Sequence, residues 1–304
     1  MDQSNWLCMG CRDNNSQPTP LDSNPDSAVN HETVNFLTAD ELNDRFFDNT
    51  PHNTRDFDEE GDPFFYQNDK YYEADEMEIF FTEEFKTQSF FSICVNIRGL
   101  NIMKNFIQLE SLINCLPQKP HVIFINETFL QQNEEGFFNN IEGYNFISNS
   151  RKEFRCGGVA AYIKSELNFS IRNDLTIMDE KIFESIFFKL FTSEEELTVG
   201  TIYRSPDERI ASNNKFLGHL NKIFDTVNKE KTHCIIMGDT NYDLCDLEST
   251  PEDIFKDAMF SNSFYPLINR PTRITDTTAS AIDHIWTNII SKPTNSGVIT
   301  NKNC

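Results

Sequence analysis

Two apolar runs that bracket a helix-periodic stretch constrain this chain more than any other feature. Phe90-Phe91-Ser92-Ile93-Cys94-Val95-Asn96-Ile97 reads as a buried strand. Ile102, Met103, Phe106, Leu109, Leu112, Ile113 and Leu116 then recur mostly every three or four residues, the spacing of an amphipathic helix. Pro117 and Pro120 stop that helix, because proline brings no N–H to its ladder. His121-Val122-Ile123-Phe124-Ile125-Asn126 follows as a second buried strand, which completes a β-α-β unit.

The alternation continues to the end of the chain. Strands are expected at 158–164, 182–191, 197–203, 234–238 and 281–286, with a last candidate at 297–300. A second helix is expected at 209–228, with Ile210, Leu217, Leu220, Ile223, Phe224 and Val227 on one face, and a short one near 251–260. The expected fold class is therefore α/β: a four-layer α/β sandwich, two packed mixed β-sheets flanked by helices, preceded by a disordered acidic segment.

That preceding segment is compositionally distinct. Positions 1–90 hold 21 acidic and 5 basic residues, which leaves 27 acidic and 21 basic for 91–304. Residues 13–88 show no sustained period and are rich in Asn, Asp, Glu, Ser and Pro. Such sequence buries too little apolar surface to offset the entropy of ordering, so it reads as a disordered linker. Its aromatics, among them Tyr71 and Tyr72, have no docking place that the sequence identifies. The domain beyond it is expected at 89–304. No run of 18 apolar residues and no basic-then-apolar N-terminal leader is present, so neither a membrane span nor a signal peptide is expected. The eight cysteines are too sparse for a disulfide scaffold and read as the small buried thiols of a reduced, intracellular protein.

Several of these strands end in a carboxylate or an amide. The strand 121–126 runs into Glu127, and 234–238 runs into Asp239-Thr240-Asn241. The strand 281–286 carries Asp283 between apolar Ile282 and Ile285, and the first strand carries Asn96. Positions i and i+2 of a strand share a face, so Asp239 and Asn241 point together and suit the orientation of a water near a phosphate. Glu127 suits a hard cation, since Mg²⁺ takes one or two carboxylates plus waters and substrate phosphate. These have structural alternatives: a turn for Gly238-Asp239-Thr240-Asn241, an exposed loop acid for Glu127 and an ion pair for Asp283.

Read in order, Val95-Asn96-Ile97-Arg98-Gly99-Leu100, Asn126-Glu127-Thr128-Phe129-Leu130, Gly157-Gly158-Val159-Ala160-Ala161-Tyr162-Ile163, Ile202-Tyr203-Arg204-Ser205-Pro206, Gly238-Asp239-Thr240-Asn241, Arg270-Pro271-Thr272-Arg273-Ile274-Thr275 and Ser280-Ala281-Ile282-Asp283-His284-Ile285 make a pattern. The pattern resembles the endonuclease domain of non-LTR, jockey-like retrotransposons. That domain is itself of the apurinic type within the endonuclease/exonuclease/phosphatase superfamily. The resemblance implies a metal-dependent, DNA-nicking phosphodiesterase using Mg²⁺ or Mn²⁺, leaving a 3′-hydroxyl. It implies that Glu127 binds the metal and that Asn96 holds the metal-side phosphate or its water shell. Tyr203 would bond the scissile phosphate, Asp239 would position or deprotonate the attacking water, and Asn241 would hold phosphate and Asp239 in register. Asp283 would orient a catalytic histidine, and Thr272 and Arg273 would lie on a DNA-facing loop.

The chain departs from that family in two places. The family's Ser-Asp-His motif does not follow Ser296-Gly297-Val298-Ile299, and His284 points to the opposite face from Asp283. The chain is therefore expected to be a C-terminally truncated and nearly inactive copy, an expectation that cation-dependent nicking at a full rate would overturn. At the other end, Trp6-Leu7-Cys8-Met9-Gly10-Cys11 resembles the closing part of a PHD-type zinc finger. Structural zinc takes four ligands, so residues 1–12 read as a remnant.

With a pI near 4.6, DNA binding needs local basic charge. Arg151, Lys152, Arg155, Arg204, Arg270 and Arg273 fall on loops near the proposed site and form either that patch or a scattered solvated surface. The expected partner is DNA as substrate, with no membrane and no small-molecule cofactor; no partner protein is indicated. Nuclear action is implied only by the resemblance. Two other readings stay open: a decayed copy that binds metal or DNA without turnover, and a small-molecule phosphatase of the same superfamily.

Overall fold

The computed structural model describes residues 6–11, 69–73, 77, 90–131, 134, 136, 138, 140–192, 195–206, 209–246, 250–275, 278–290 and 294–300, and all structural statements concern these. Two seven-stranded sheets account for most of them. The first contains β1 (Trp6–Cys11), β2 (Lys70–Glu73), β3 (Phe90–Asn96), β4 (Val122–Asn126), β5 (Tyr144–Asn149), β6 (Val159–Lys164) and β16 (Thr294–Thr300). Its spatial order is β2-β16-β1-β3-β4-β6-β5. The second contains β7 (Asn168–Ile171), β8 (Met178–Asp179), β9 (Phe183–Phe191), β10 (Glu196–Tyr203), β11 (His233–Asp239), β12 (Tyr265–Pro266) and β15 (Asp283–Thr287). Its order is β12-β15-β11-β10-β9-β7, with β8 pairing β9 off that path. A two-stranded ribbon joins β13 (Arg273–Ile274) to β14 (Ala279–Ser280).

Three apolar clusters separate four layers. Helix α1 (Met103–Cys115) puts Leu109, Leu112 and Ile113 onto Phe91, Ile93, Val95, Ile123 and Ile125 of the first sheet. Between the sheets, Cys94, Val122, Phe124, Ala161 and Ile163 meet Phe188, Leu190, Leu197, Val199, Ile235, Met237 and Ile285. On the far side, α2 (Ile210–Glu230) and α3 (Thr250–Ser261) cover Phe183, Phe187, Ile202, Ile236 and Trp286 with Phe216, Leu220, Phe224, Phe255 and Met259. This is the expected four-layer α/β sandwich, with most helix and strand boundaries within a few residues of those read from sequence.

The period-2 alternation of each strand decides what reaches the site. In β3, Phe91, Ile93 and Val95 face α1, so Cys94 and then Asn96 lie on the inter-sheet row. In β4, Ile123 and Ile125 face α1, so Val122, Phe124 and then Asn126 share that row. In β11, Cys234 and Ile236 face the helices while Ile235, Met237 and then Asp239 face the other sheet. Five inter-sheet rows thus end in Asn96, Asn126, Tyr203, Asp239 and Asp283, all at one edge of the sandwich.

Two expectations need revision. The acidic segment is not disordered throughout: Lys70–Glu73 is an edge strand parallel to β16, and Tyr71 and Met77 are buried. Tyr71 joins the apolar cluster between the sheets and Met77 the one beneath α1, long-range partners that the local composition does not reveal. The rest of that expectation, over 13–68, 74–76 and 78–88, lies outside the described residues. Cys115 is disulfide-bonded, with its partner outside the described side chains, whereas Cys94 and Cys234 form no disulfide and are buried as expected. Trp6–Cys11, which resembles the end of a zinc finger, forms a strand parallel to both β3 and β16.

Candidate active site

Asn96 is the hinge of the site. Its Nδ2 donates to Glu127 Oε1 at 2.9 Å and to Asp239 Oδ2 at 2.7 Å, tying the first sheet to the second. Tyr203, at the end of β10, donates its hydroxyl to the same Glu127 Oε1 at 3.2 Å. In register, Asn96 stands beside Asn126 and Asp239 beside Asp283, so each sheet contributes a cross-strand pair.

Asn126 was not singled out from sequence and proves central. It is fully buried; its Nδ2 donates to Thr201 Oγ1 at 2.9 Å and its Oδ1 accepts the Asp239 backbone N–H at 3.0 Å. The one available signal was an amide closing the otherwise apolar strand Val122–Asn126. A buried amide with both ends satisfied fixes the distance between the strands that it joins.

The backbone turns that present these groups are unusual. Arg98, Glu127 and Asn241 take φ of 47°, 54° and 51°, a left-handed region that L-residues visit sparingly and that tends to occur at functional sites. Gly238 takes φ +142°, and a Cβ there would lie 1.8 Å from the Ile202 carbonyl oxygen, so no other residue fits before Asp239. Asn241 closes the turn: its backbone N–H donates to Asp239 Oδ1 at 3.0 Å and its Nδ2 donates to the Arg204 carbonyl at 2.7 Å. Asn241 thus holds Asp239 in register through its main chain, while its side-chain amide is turned toward Arg204.

Electrostatically the site is overloaded with negative charge. Burial raises the Asp239 carboxyl well above the ordinary carboxylate range, and the neighbouring Asp283 and Glu127 raise it further, against the Asn96 and Asn241 hydrogen bonds. Burial likewise lifts Asp283 to about 6; the Thr272 hydroxyl, Arg98 and Arg273 pull the other way and Glu127 adds to the rise. Tyr203 is pushed up by burial and by Glu127, Asp239 and Glu184, so its hydroxyl stays protonated. Among the described residues, none of Glu127, Asp239 and Asp283 forms an ion pair.

Other expected residues stand elsewhere. Arg204 does not face solvent. Its Nη1 donates to the carbonyls of Thr240 (3.2 Å) and Asn241 (3.4 Å), its Nη2 donates to Asn213, and its guanidinium lies 4.1 Å over the Tyr242 ring. It braces the Asp239 turn from beneath and is withdrawn from any phosphate outside. Thr272 is also buried, and its Oγ1 accepts the N–H groups of Ile282 (3.2 Å) and Asp283 (3.0 Å), which makes it a support for Asp283 rather than a surface contact. Arg151 and Arg270 are buried against Glu184 and Asp69. Of the basic residues expected in a patch, Lys152, Arg155 and Arg273 remain exposed.

The four described histidines are engaged away from Asp283. His284 is buried, with Nδ1 on Thr240 Oγ1 and Nε2 on the Ala281 carbonyl, and burial lowers its pKa to about 4. His121 accepts the Phe91 N–H, His219 meets Asp179 and His233 meets Glu195.

The family described as Endonuclease/Exonuclease/phosphatase family matches residues 94–300, well over half of the chain. No curated protein matches it in sequence. Similar solved structures include the endonuclease domain of TRAS1, a telomere-specific non-LTR retrotransposon, at 14% identity and TM-score 0.49 over 64% of this chain and 82% of that one. The catalytic domain of Xenopus laevis APE2 is 18% identical with TM-score 0.49, covering 65% of this chain and 82% of its own. The 3′-5′ exonuclease NExo from Neisseria meningitidis is 14% identical with TM-score 0.48, covering 64% and 85%. No described helix is long and apolar enough to cross a membrane.

Proposed function

This chain belongs to the endonuclease/exonuclease/phosphatase family, and from that premise we propose that its site hydrolyses DNA phosphodiesters as a cation-dependent nicking endonuclease of the retrotransposon type. The observation that carries the reading is the Asn96 bridge. One amide holds Glu127 and Asp239 together from two different sheets, with Tyr203 on the same Glu127 oxygen.

The residues fit a hard divalent cation. Glu127 Oε1 takes the Asn96 and Tyr203 bonds, which leaves Oε2 for a ligand. Three mutually repelling carboxylates, with no ion-pair partner among the described residues, favour a positive charge between them. The described residues hold no cluster of three or more His, Cys, Asp or Glu poised around one point. Mg²⁺ does not require one, since it keeps waters and completes its shell with substrate phosphate. A bound Mg²⁺ or Mn²⁺ would supply charge stabilisation beside the scissile phosphate.

The protein's own groups divide the remaining work. Asp239, made more basic by burial and its acidic neighbours, accepts a proton from the attacking water and aims it. Tyr203, held protonated, donates to a phosphate oxygen as negative charge grows there. Asn96 and Asn241 keep Asp239 in place. A phosphate contact from Asn241 would require its Nδ2 to leave the Arg204 carbonyl. Exposed Lys152, Arg155 and Arg273 would hold the flanking DNA phosphates.

The engagement of all four described histidines favours a second reading, in which the chain binds cation and DNA without turnover. Incubation of supercoiled plasmid with Mg²⁺ or Mn²⁺ separates the two. The first reading expects relaxed circles with extendable 3′-hydroxyl ends, lost in Glu127→Gln and Asp239→Asn. Intact plasmid at every cation and pH, with retained DNA binding, supports the second. Hydrolysis of inositol phosphates without nicking would replace both with a small-molecule phosphatase.

A further inference from the structure

The acidic segment reaches the site through one loop, and it does so residue by residue. Asp69 is buried, and its Oδ2 accepts the Asn269 N–H at 2.8 Å. Arg270 Nε donates to the Asp69 main-chain carbonyl and lies 3.4 Å from its Oδ1. The Tyr71 hydroxyl donates to the Pro271 carbonyl at 2.8 Å. These contacts join residues 200 or more positions apart. The next residue in the loop is Thr272, whose Oγ1 receives the N–H groups of Ile282 and Asp283.

The clamp is anchored on both sides. Lys70–Glu73 pairs along β16 from Gly297 to Thr300, and Thr300 Oγ1 donates to the Tyr72 carbonyl at 3.2 Å. The Thr272 N–H donates to the Ser280 carbonyl at 2.9 Å, which fixes the loop against the approach to β15. Pro271 restricts its own φ and biases Arg270 toward extended backbone, so the loop has few ways to relax without this strand.

We propose that Asp69 and Tyr71 are positioning residues of the site: by holding residues 269–271 they seat Thr272 beneath the start of β15, and Thr272 holds Asp283 opposite Asp239. The catalytic part of this rests on the function proposed above; the structural part stands without it. The acidic segment is then a brace for the chemistry, beyond any electrostatic effect on DNA.

The test uses the full chain with Tyr71→Phe, Asp69→Ala and Asp69→Asn, following amide hydrogen exchange and plasmid nicking. Tyr71→Phe and Asp69→Ala are expected to speed exchange of the Ile282 and Asp283 amides at least five-fold, with β10 amides such as Val199 unchanged. Nicking kcat is expected to fall three- to ten-fold with KM held within two-fold. Asp69→Asn keeps a carbonyl oxygen for the Asn269 N–H and is expected to restore most of both. Unchanged exchange at Ile282 and Asp283, or acceleration spread evenly through both sheets, would overturn the proposal. So would wild-type kinetics in Tyr71→Phe. Should Asp69→Ala not fold, Tyr71→Phe decides, since it removes a single hydroxyl. A wild-type chain that never nicks sinks the proposed function, while the exchange measurement still decides the brace.

Discussion

Two buried acids flank β10 and are treated in opposite ways. Glu184 of β9, the cross-strand partner of Tyr203, accepts the Arg151 guanidinium and the Gly158 N–H. Arg151 also reaches Ser205 Oγ at 2.8 Å. Gly157 makes room for it: φ is +120° there, and a Cβ would lie 2.2 Å from the guanidinium carbon. Asp239 of β11 has amides for partners and two further acids as neighbours. Burying a carboxylate is costly unless a counter-charge accompanies it. Among the described residues, Glu184 and Asp69 form ion pairs with arginines, whereas Glu127, Asp239 and Asp283 form none, Arg98 and Arg273 acting on Asp283 only from a distance. The contrast separates a structural acid from an acid kept for a ligand.

The largest effect that would sharpen this contrast is on activity. Asp239→Asn is expected to lower nicking by about 10²–10⁴-fold, the usual contribution of a general base. A smaller loss in a single-turnover assay would place the base elsewhere. Next comes stability. Arg151→Met leaves Glu184 buried without its cation and is expected to cost about 3–5 kcal/mol, read from the urea midpoint. Asp239→Asn is expected to leave that midpoint unchanged or raise it; an equal loss in both variants would dissolve the distinction.

The smallest effect is a pH dependence. Asp283 is raised to about 6 in the fold, mainly by burial, from an ordinary value near 4. The folded chain therefore binds this proton more tightly than the unfolded chain does. The associated stability is fully present below about pH 4 and is lost as pH rises through about 6. Without divalent cation, thermal stability should fall across that window by on the order of 1–3 kcal/mol. Asp283→Asn should reduce the slope and leave the part of the same sign that the raised Asp239 contributes, and millimolar Mg²⁺ should raise stability at pH 7 by mass action. A flat profile in the wild-type chain would show that Asp283 ionises without strain.

How far the sequence could be read depends on where a strand sits. β3, β4, β6, β9, β10, β11 and β15 carry apolar rows and were legible from residue type alone. The strands that went unread include β2, β5, β7 and β12, and these four lie at sheet edges. An edge strand meets one neighbour and partly faces water, so stretches such as Tyr144–Asn149 and Asn168–Ile171 can be half polar and still pair. β1 is interior and went unread because its cysteine spacing suggested a different role.

At the site, acids on or just after apolar strands pointed to Glu127, Asp239 and Asp283 as candidates, each with a structural alternative, and the family resemblance added Tyr203. Sequence determined the alternation, and with it which side chain ends each inter-sheet row. Tertiary structure alone decided the partners: Asn126 as the tie between strands, Thr272 as the seat of Asp283, and Arg204 turned inward onto Tyr242. The physical reason is range. Strand periodicity is a local property of the chain, whereas whether a charge is buried, paired or free depends on groups as far as 201 residues away, the separation of Asp69 and Arg270.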